Sequence, residues 1–101
     1  PVTVVTGDPA ASAAYLRAHV RPGDGVICFS EFCGQFADCA VHDLGLSGDK
    51  PEQARRVFDA LREFDHEPVT AIWAQCPDAA GLGLAVSNRL KKAAGFHVIE
   101  V

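Results

Sequence analysis

The run Val69-Thr70-Ala71-Ile72-Trp73-Ala74, followed at once by Gln75-Cys76-Pro77-Asp78 and then by an amphipathic stretch, constrains this chain more than any other segment. Pro68 stops the helix before it, and a short run apolar on nearly every residue suits a strand covered on both faces. A buried strand that delivers a polar turn to a helix is the repeating unit of open α/β sheets. Ligands of such sheets sit outside the carboxyl ends of the strands. The expected fold is therefore α/β, and the place to look for function is the turn Gln75–Asp78.

The rest of the chain fits that frame. Pro1 to Thr6 is β-branched and reads as a first strand; Gly7-Asp8-Pro9 follows with a turn, a cap and a first helical residue. A helix over Ala10 to Val20 ends at Arg21-Pro22-Gly23-Asp24-Gly25, and Val26 to Phe29 forms the second strand. Phe32, Phe36, Cys39 and Ala40 recur at helical spacing, which predicts a helix from about Cys33 to Leu44. After a break at Leu46 to Gly48, Asp49 and Glu52 resemble a capping box for a helix in which Ala54, Val57, Phe58, Leu61 and Phe64 follow at helical spacing. Val69 to Ala74 is the third strand. The next helix has Leu82, Ala85, Val86, Leu90 and Ala93 inward and is closed by Lys91, Lys92 and Gly95, and Phe96 to Val101 supplies the last strand. The order β-α-β-α-α-β-α-β predicts a three-layer Rossmann-like sandwich with helices on both faces of a four-stranded parallel sheet, in strand order 2-1-3-4. With 49% hydrophobic residues, positions 1–101 make a single domain.

Several function classes are disfavoured at this stage. A net charge of -4 without a basic stripe argues against nucleic acid and against an anionic membrane surface. The longest apolar runs are strand-length, so a cytoplasmic chain is expected. Cys28, Cys33, Cys39 and Cys76 contain no C-x-x-C pair, and reduced thiols are expected rather than a zinc ribbon or a disulfide framework.

If the first and third strands are neighbours at the switch point, three turns share one neighbourhood: Thr6-Gly7-Asp8, Ser30-Glu31-Phe32-Cys33 and Gln75-Cys76-Pro77-Asp78. The candidate ligand-binding residues are Thr6, Gly7, Asp8, Ser30, Glu31 and Asp78. Capping alone explains Asp8 and Asp78 taken singly, so the expectation rests on the cluster. Cys28 and Cys39 read as small buried hydrophobes. Cys33 and Cys76 each begin or precede a helix whose positive end would lower the thiol pKa, and Cys76 is the candidate nucleophile, against the plainer reading of an inert turn cysteine. Cys39 and His42, one turn apart on the expected helix, could share a metal with Cys33; the spacing matches no ligand pattern, and a structural His42 with no metal is the preferred reading. His19, His66 and His97 read as surface or capping residues, and Trp73 as core. The G-x-G-x-x-G fingerprint and the P-loop lysine are both missing, and the sequence names no cofactor.

The stretches VVTGDPAASAAYLRA with GDGVICFSE, and AIWAQCPDAAGLGLAVSNRL, resemble a family of uncharacterised bacterial Rossmann-like domains of unknown function. That resemblance implies a fold and no activity. Cys76-Pro77-Asp78-Ala79-Ala80-Gly81 also looks like the D-x-D turn of topoisomerase-primase domains, but Cys76 replaces the first magnesium-binding carboxylate. Pro1 ahead of a strand is similar to the start of tautomerases, without their early arginine.

The functional expectation is a small domain that binds a small polar or anionic ligand at the C-terminal edge of its sheet, with Cys76 as nucleophile if there is chemistry. The competing expectation is a protein-interaction or homodimerisation module that pairs through edge strands Val26 to Phe29 and His97 to Val101.

Overall fold

The computed structural model describes residues 1–95 and 97–101. Phe96, expected to open the last strand, lies outside the described residues. Five strands and three α-helices alternate along the chain: β1 (Val2–Thr6), α1 (Pro9–His19), β2 (Gly25–Cys28), a 3-10 helix (Ser30–Gln35), β3 (Ala40–Asp43), α2 (Lys50–Phe64), β4 (Ile72–Gln75), α3 (Leu82–Ala93) and β5 (Val98–Glu100). The sheet is wholly parallel, in the order β3-β2-β4-β1-β5.

The strand that leads into Gln75, β4, is the middle one. β4 pairs with β1 through Val4↔Ala74 and with β2 through Val26↔Trp73. Two expectations are corrected here. The sheet has five strands rather than four, because the predicted helix Cys33–Leu44 is a short 3-10 helix followed by strand β3. Helical spacing among Phe32, Phe36 and Cys39 arises from residues on two different elements, while Ala40-Val41-His42-Asp43 alternates faces as a strand does. The order 2-1-3-4 also fails, since β4 inserts between β1 and β2. Consequently β2, offered above as an edge, is interior; the edges are β3 and β5.

Connections run from β1 outward through β2 to β3, then return to β4 and pass over to β5. Reversing direction with right-handed crossovers puts α1 on one face and α2 with α3 on the other. The cores follow this division. Val5, Val26, Cys28, Leu16 and Phe36 pack on the α1 side. Val4, Ile27 and Ala74, the alternate residues of the same strands, pack with Val57, Phe64, Val86 and Leu90 on the α2/α3 side. Gly25 is required where it stands, because a Cβ there would lie 2.6 Å from the Phe64 ring.

Local chemistry sets the helix starts. Asp8 Oδ2 accepts the Ala11 N–H at 3.1 Å with Pro9 behind it. Asp49 Oδ1 accepts the Glu52 N–H at 3.2 Å, completing half of the expected capping box. The Glu52 carboxylate turns instead to Arg55 and Arg56, and those two guanidiniums hold it below the usual range.

Candidate functional site

Because β2, β4 and β1 are consecutive in the sheet, the three turns singled out from the sequence do come together at its C-terminal edge. The connections leaving the adjacent strands β1 and β4 go to opposite faces, so the switch point falls between them, where it was expected. A fourth turn, Leu44 to Ser47 after β3, joins them. It was missed because those residues were assigned to the end of a helix and a break; its signal was the face alternation from Ala40 to Asp43.

Each predicted polar residue at this edge already has a partner within the chain. Thr6 Oγ1 donates to the Ile99 carbonyl at 3.4 Å. Gly7 adopts φ +124°, and a Cβ there would lie 2.5 Å from the Val101 carbonyl oxygen. The close approach that Gly7 permits is therefore to the end of β5, as the tight-turn reading has it. Ser30 Oγ donates to Asp43 Oδ1 at 2.6 Å, and the same oxygen accepts the Gly45 N–H at 2.8 Å. Glu31 accepts the Ser47 N–H at 2.8 Å and the Ser47 hydroxyl. Desolvation pushes the Glu31 carboxyl up, but the hydrogen bonds it accepts outweigh this and the net direction is down.

Asp78 joins the network through a residue the sequence reading passed over. Lys50 Nζ lies 2.5 Å from Asp78 Oδ1 and donates to the Ala80 carbonyl at 3.1 Å. The Lys50 ammonium, with a further bond from the Ala80 N–H, holds the Asp78 carboxyl below its ordinary value. Gly83 keeps this corner open, since a Cβ there would sit 2.1 Å from the Asp78 carbonyl oxygen.

Gln75, fully buried, ties the turns to one another. Its Oε1 accepts the Phe29 N–H at 2.9 Å, and its Nε2 donates to the Pro9 carbonyl and to Ser12 Oγ, both at 3.0 Å. One side chain thus links β4, β2 and the start of α1. Gln53, equally buried at the start of α2, donates to the carbonyls of Leu46 and Ser47, while its Oε1 has no partner among the described residues.

The expectation of a lowered thiol pKa at Cys76 is corrected. Its side chain is 2% exposed within the α2/α3 core, and burial pushes the thiol up, with the bond to Ser87 offsetting only part. Helix α3 begins six residues later, at Leu82, beyond the reach of a dipole that fades within a turn. Cys33, also expected to be lowered, is raised instead, as is Cys28, both chiefly by desolvation, and their sulfurs lie 3.2 Å apart.

Cys39 and His42 do not converge on a metal. Cys39 packs on the α1 side of the sheet, whereas His42 meets the Phe64 ring edge-on at 4.3 Å on the other. Among the described residues, the cluster that could hold a cation is His42 with Glu63 and Glu67. Its ring nitrogens lie 2.8 Å from Glu63 Oε2 and 2.6 Å from Glu67 Oε1. Those are hydrogen-bond separations; a shared metal about 2.0 Å from each donor would hold nitrogen and oxygen further apart.

Grooves of about 270, 320 and 230 Å³ lie beside Arg17 and Phe36, beside Leu61 and Arg89, and beside His42 and Arg56, all away from Cys76. No helix among the described residues is long and apolar enough to cross a membrane.

Fold and site together define an α/β domain with helices on both faces of an all-parallel sheet and four polar turns collected at its C-terminal edge. The chain belongs to the family of threonylcarbamoyl-AMP synthase C-terminal domains, whose model matches residues 1–95. That family is a defined one, which corrects the resemblance to domains of unknown function. The chain is 33% identical over 102 residues to the threonylcarbamoyl-AMP synthase of Bacillus subtilis, covering 99% of this chain and 30% of that protein. It matches Sua5 of Pyrococcus abyssi, solved in complex with L-threonine, at 31% identity and a TM-score of 0.70, over 99% of this chain and 29% of that one. The crystal structure of a C-terminal Sua5 domain from Pyrococcus horikoshii matches at 29% identity and a TM-score of 0.71, with 99% and 95% coverage. The chain thus spans about 30% of the length of the curated relative it matches end to end.

Proposed function

We propose that this chain serves as the C-terminal domain of a threonylcarbamoyl-AMP synthase and acts by closing the C-terminal edge of its sheet onto the remainder of that enzyme. In this reading the turns Thr6–Asp8, Ser30–Glu31 and Asp78 with Lys50 face a small polar or anionic ligand, of the threonine or adenylate type, held jointly with the partner part. The bond-making groups lie outside this chain, since Cys76 is a buried thiol with a raised pKa.

The observation that carries the reading is the placement of exposed apolar side chains. Of the five large apolar side chains about half exposed among the described residues, Leu46, Leu84, Val101 and Leu82, which was expected to face inward, follow a strand at the C-terminal edge or open the helix that starts there; the fifth, Phe58 on α2, lies under the Arg89 guanidinium. Apolar residues beside satisfied polar turns are what a docking face with a polar centre requires. The test is to place Leu46→Asp or Leu82→Asp in the full-length enzyme and measure threonine-dependent adenylate formation. The reading expects at least a tenfold fall while the isolated domain keeps its melting temperature; unchanged activity overturns it.

A homodimer through β5 is the second reading. The other edge strand, β3, is less suited to pairing, because His42 and Asp43 are engaged by charged side chains of α2 and its following turn. Sedimentation of the isolated domain separates the two, with a monomer expected.

A further inference from the structure

Two thiols with no part in the docking reading lie in contact. Cys28 ends β2, buried on the α1 side; Cys33, five residues on, sits partly exposed in the 3-10 helix Ser30–Gln35. Their sulfurs are 3.2 Å apart. Cys33 Sγ also points at the Phe29 carbonyl at 3.5 Å, which aims it back along the strand it must reach. Of the other thiols, Cys39 Sγ faces the Arg21 carbonyl and Cys76 packs in the core on the opposite side of the sheet.

We infer that Cys28 and Cys33 form a thiol–disulfide site that closes reversibly with a low-molecular-weight disulfide such as oxidised glutathione. A disulfide holds its sulfurs about 2.0 Å apart, so the pair must approach by roughly a further 1.2 Å, within the range of side-chain rotation. Exposure sets the order of events. The Cys33 thiolate attacks one glutathione sulfur, forming a mixed disulfide and releasing a glutathione thiolate. Cys28 gives its proton to solvent, and its sulfur attacks that of Cys33, displacing the second glutathione thiolate. The net reaction converts two protein thiols and one glutathione disulfide into one protein disulfide and two glutathione thiols.

Burial raises both thiols, so the exchange is slow at neutral pH and faster in alkaline solution. The closed bond fixes the turn that carries Ser30 and Glu31, the residues that meet Asp43 and Ser47 at the sheet edge. The inference is independent of the docking reading, because it requires only the two sulfurs.

The test is to incubate the chain with excess oxidised glutathione at alkaline pH, remove the reagent, and count thiols in denaturant alongside the intact mass. The four free thiols should fall to two, with a mass loss of two hydrogens and full recovery in dithiothreitol. Cys33→Ser should abolish the loss, whereas Cys39→Ser and Cys76→Ser should each still lose two thiols. Cys33→Ser alters a partly exposed residue, so the test does not depend on a folded Cys28 variant. Four remaining thiols, stable glutathione adducts without internal closure, or a closed pair that survives Cys33→Ser would each overturn the inference.

Discussion

Replacing Gln75 with leucine probes the one side chain that joins three elements of the edge. Leucine matches glutamine closely in volume, so the change leaves little cavity and removes hydrogen bonds almost alone. The Phe29 N–H, on a residue 1% exposed, loses its acceptor at 2.9 Å. Orphaning a buried donor costs about 1–3 kcal/mol. Ser12 Oγ keeps the Pro9 carbonyl at 3.0 Å, so the two bonds from Gln75 Nε2 cost only their net worth of about 1 kcal/mol or less each. The expected loss is therefore about 3 kcal/mol. For a domain of this size it should lower the urea midpoint by about 2 M and the melting temperature by roughly 15 °C. Urea titration of the isolated domain, followed by the fluorescence of Trp73 on the same strand, reads the change directly. A loss under about 1 kcal/mol would show that Gln75 is not the pin described here.

Two further outcomes follow from the charges and thiols. The Asp78 carboxyl is held below its unfolded value, so its pairing with Lys50 supports the fold above about pH 4 and is lost as pH falls through the depressed folded value. The stability gap between the native chain and Asp78→Asn, small because the pair is exposed, should close between pH 7 and pH 2; a gap that widens in acid contradicts the pairing. Alkylation with iodoacetamide at neutral pH should label the partly exposed Cys39 before Cys76, with Cys76 reacting only as the chain opens. Fast labelling of Cys76 in the folded chain would restore it as a nucleophile.

Much of this architecture was legible in the residues. Asp8 with Pro9, Asp49 with Glu52, and the lysines before Gly95 place the three α-helices to within a few residues, because caps act locally. The apolar run before Gln75 marked the middle strand, but only Ile72 to Gln75 pairs, and Val69 to Ala71, expected as its start, precede it. Strand order was not legible. Right-handed crossovers restrict the choices, but inserting β4 between β1 and β2 depends on how whole faces pack. Strand β3 was hidden because four residues carry too little periodicity to outweigh the aromatic spacing that precedes them.

The site divides along the same line. Topology alone put Ser30, Glu31 and Asp78 at one edge of the sheet, where they lie, yet their partners Asp43, Ser47 and Lys50 come from the misread segment or from a helix start and carry no motif. Cys76 was misjudged because sequence position suggests a helix dipole, whereas side-chain burial, invisible in one sequence, sets the sign of its pKa.

The docking proposed above uses the C-terminal edge of the sheet. Amide hydrogen exchange, compared between the isolated domain and the same residues within the full-length enzyme, tests it most directly. Docking at that edge should slow exchange in the enzyme at Leu44 to Ser47 and at Ala79 to Leu84, with the outer faces of α1 and α2 unchanged. Protection confined to those outer faces, or to the opposite edge beside Leu61 and Arg89, would contradict it.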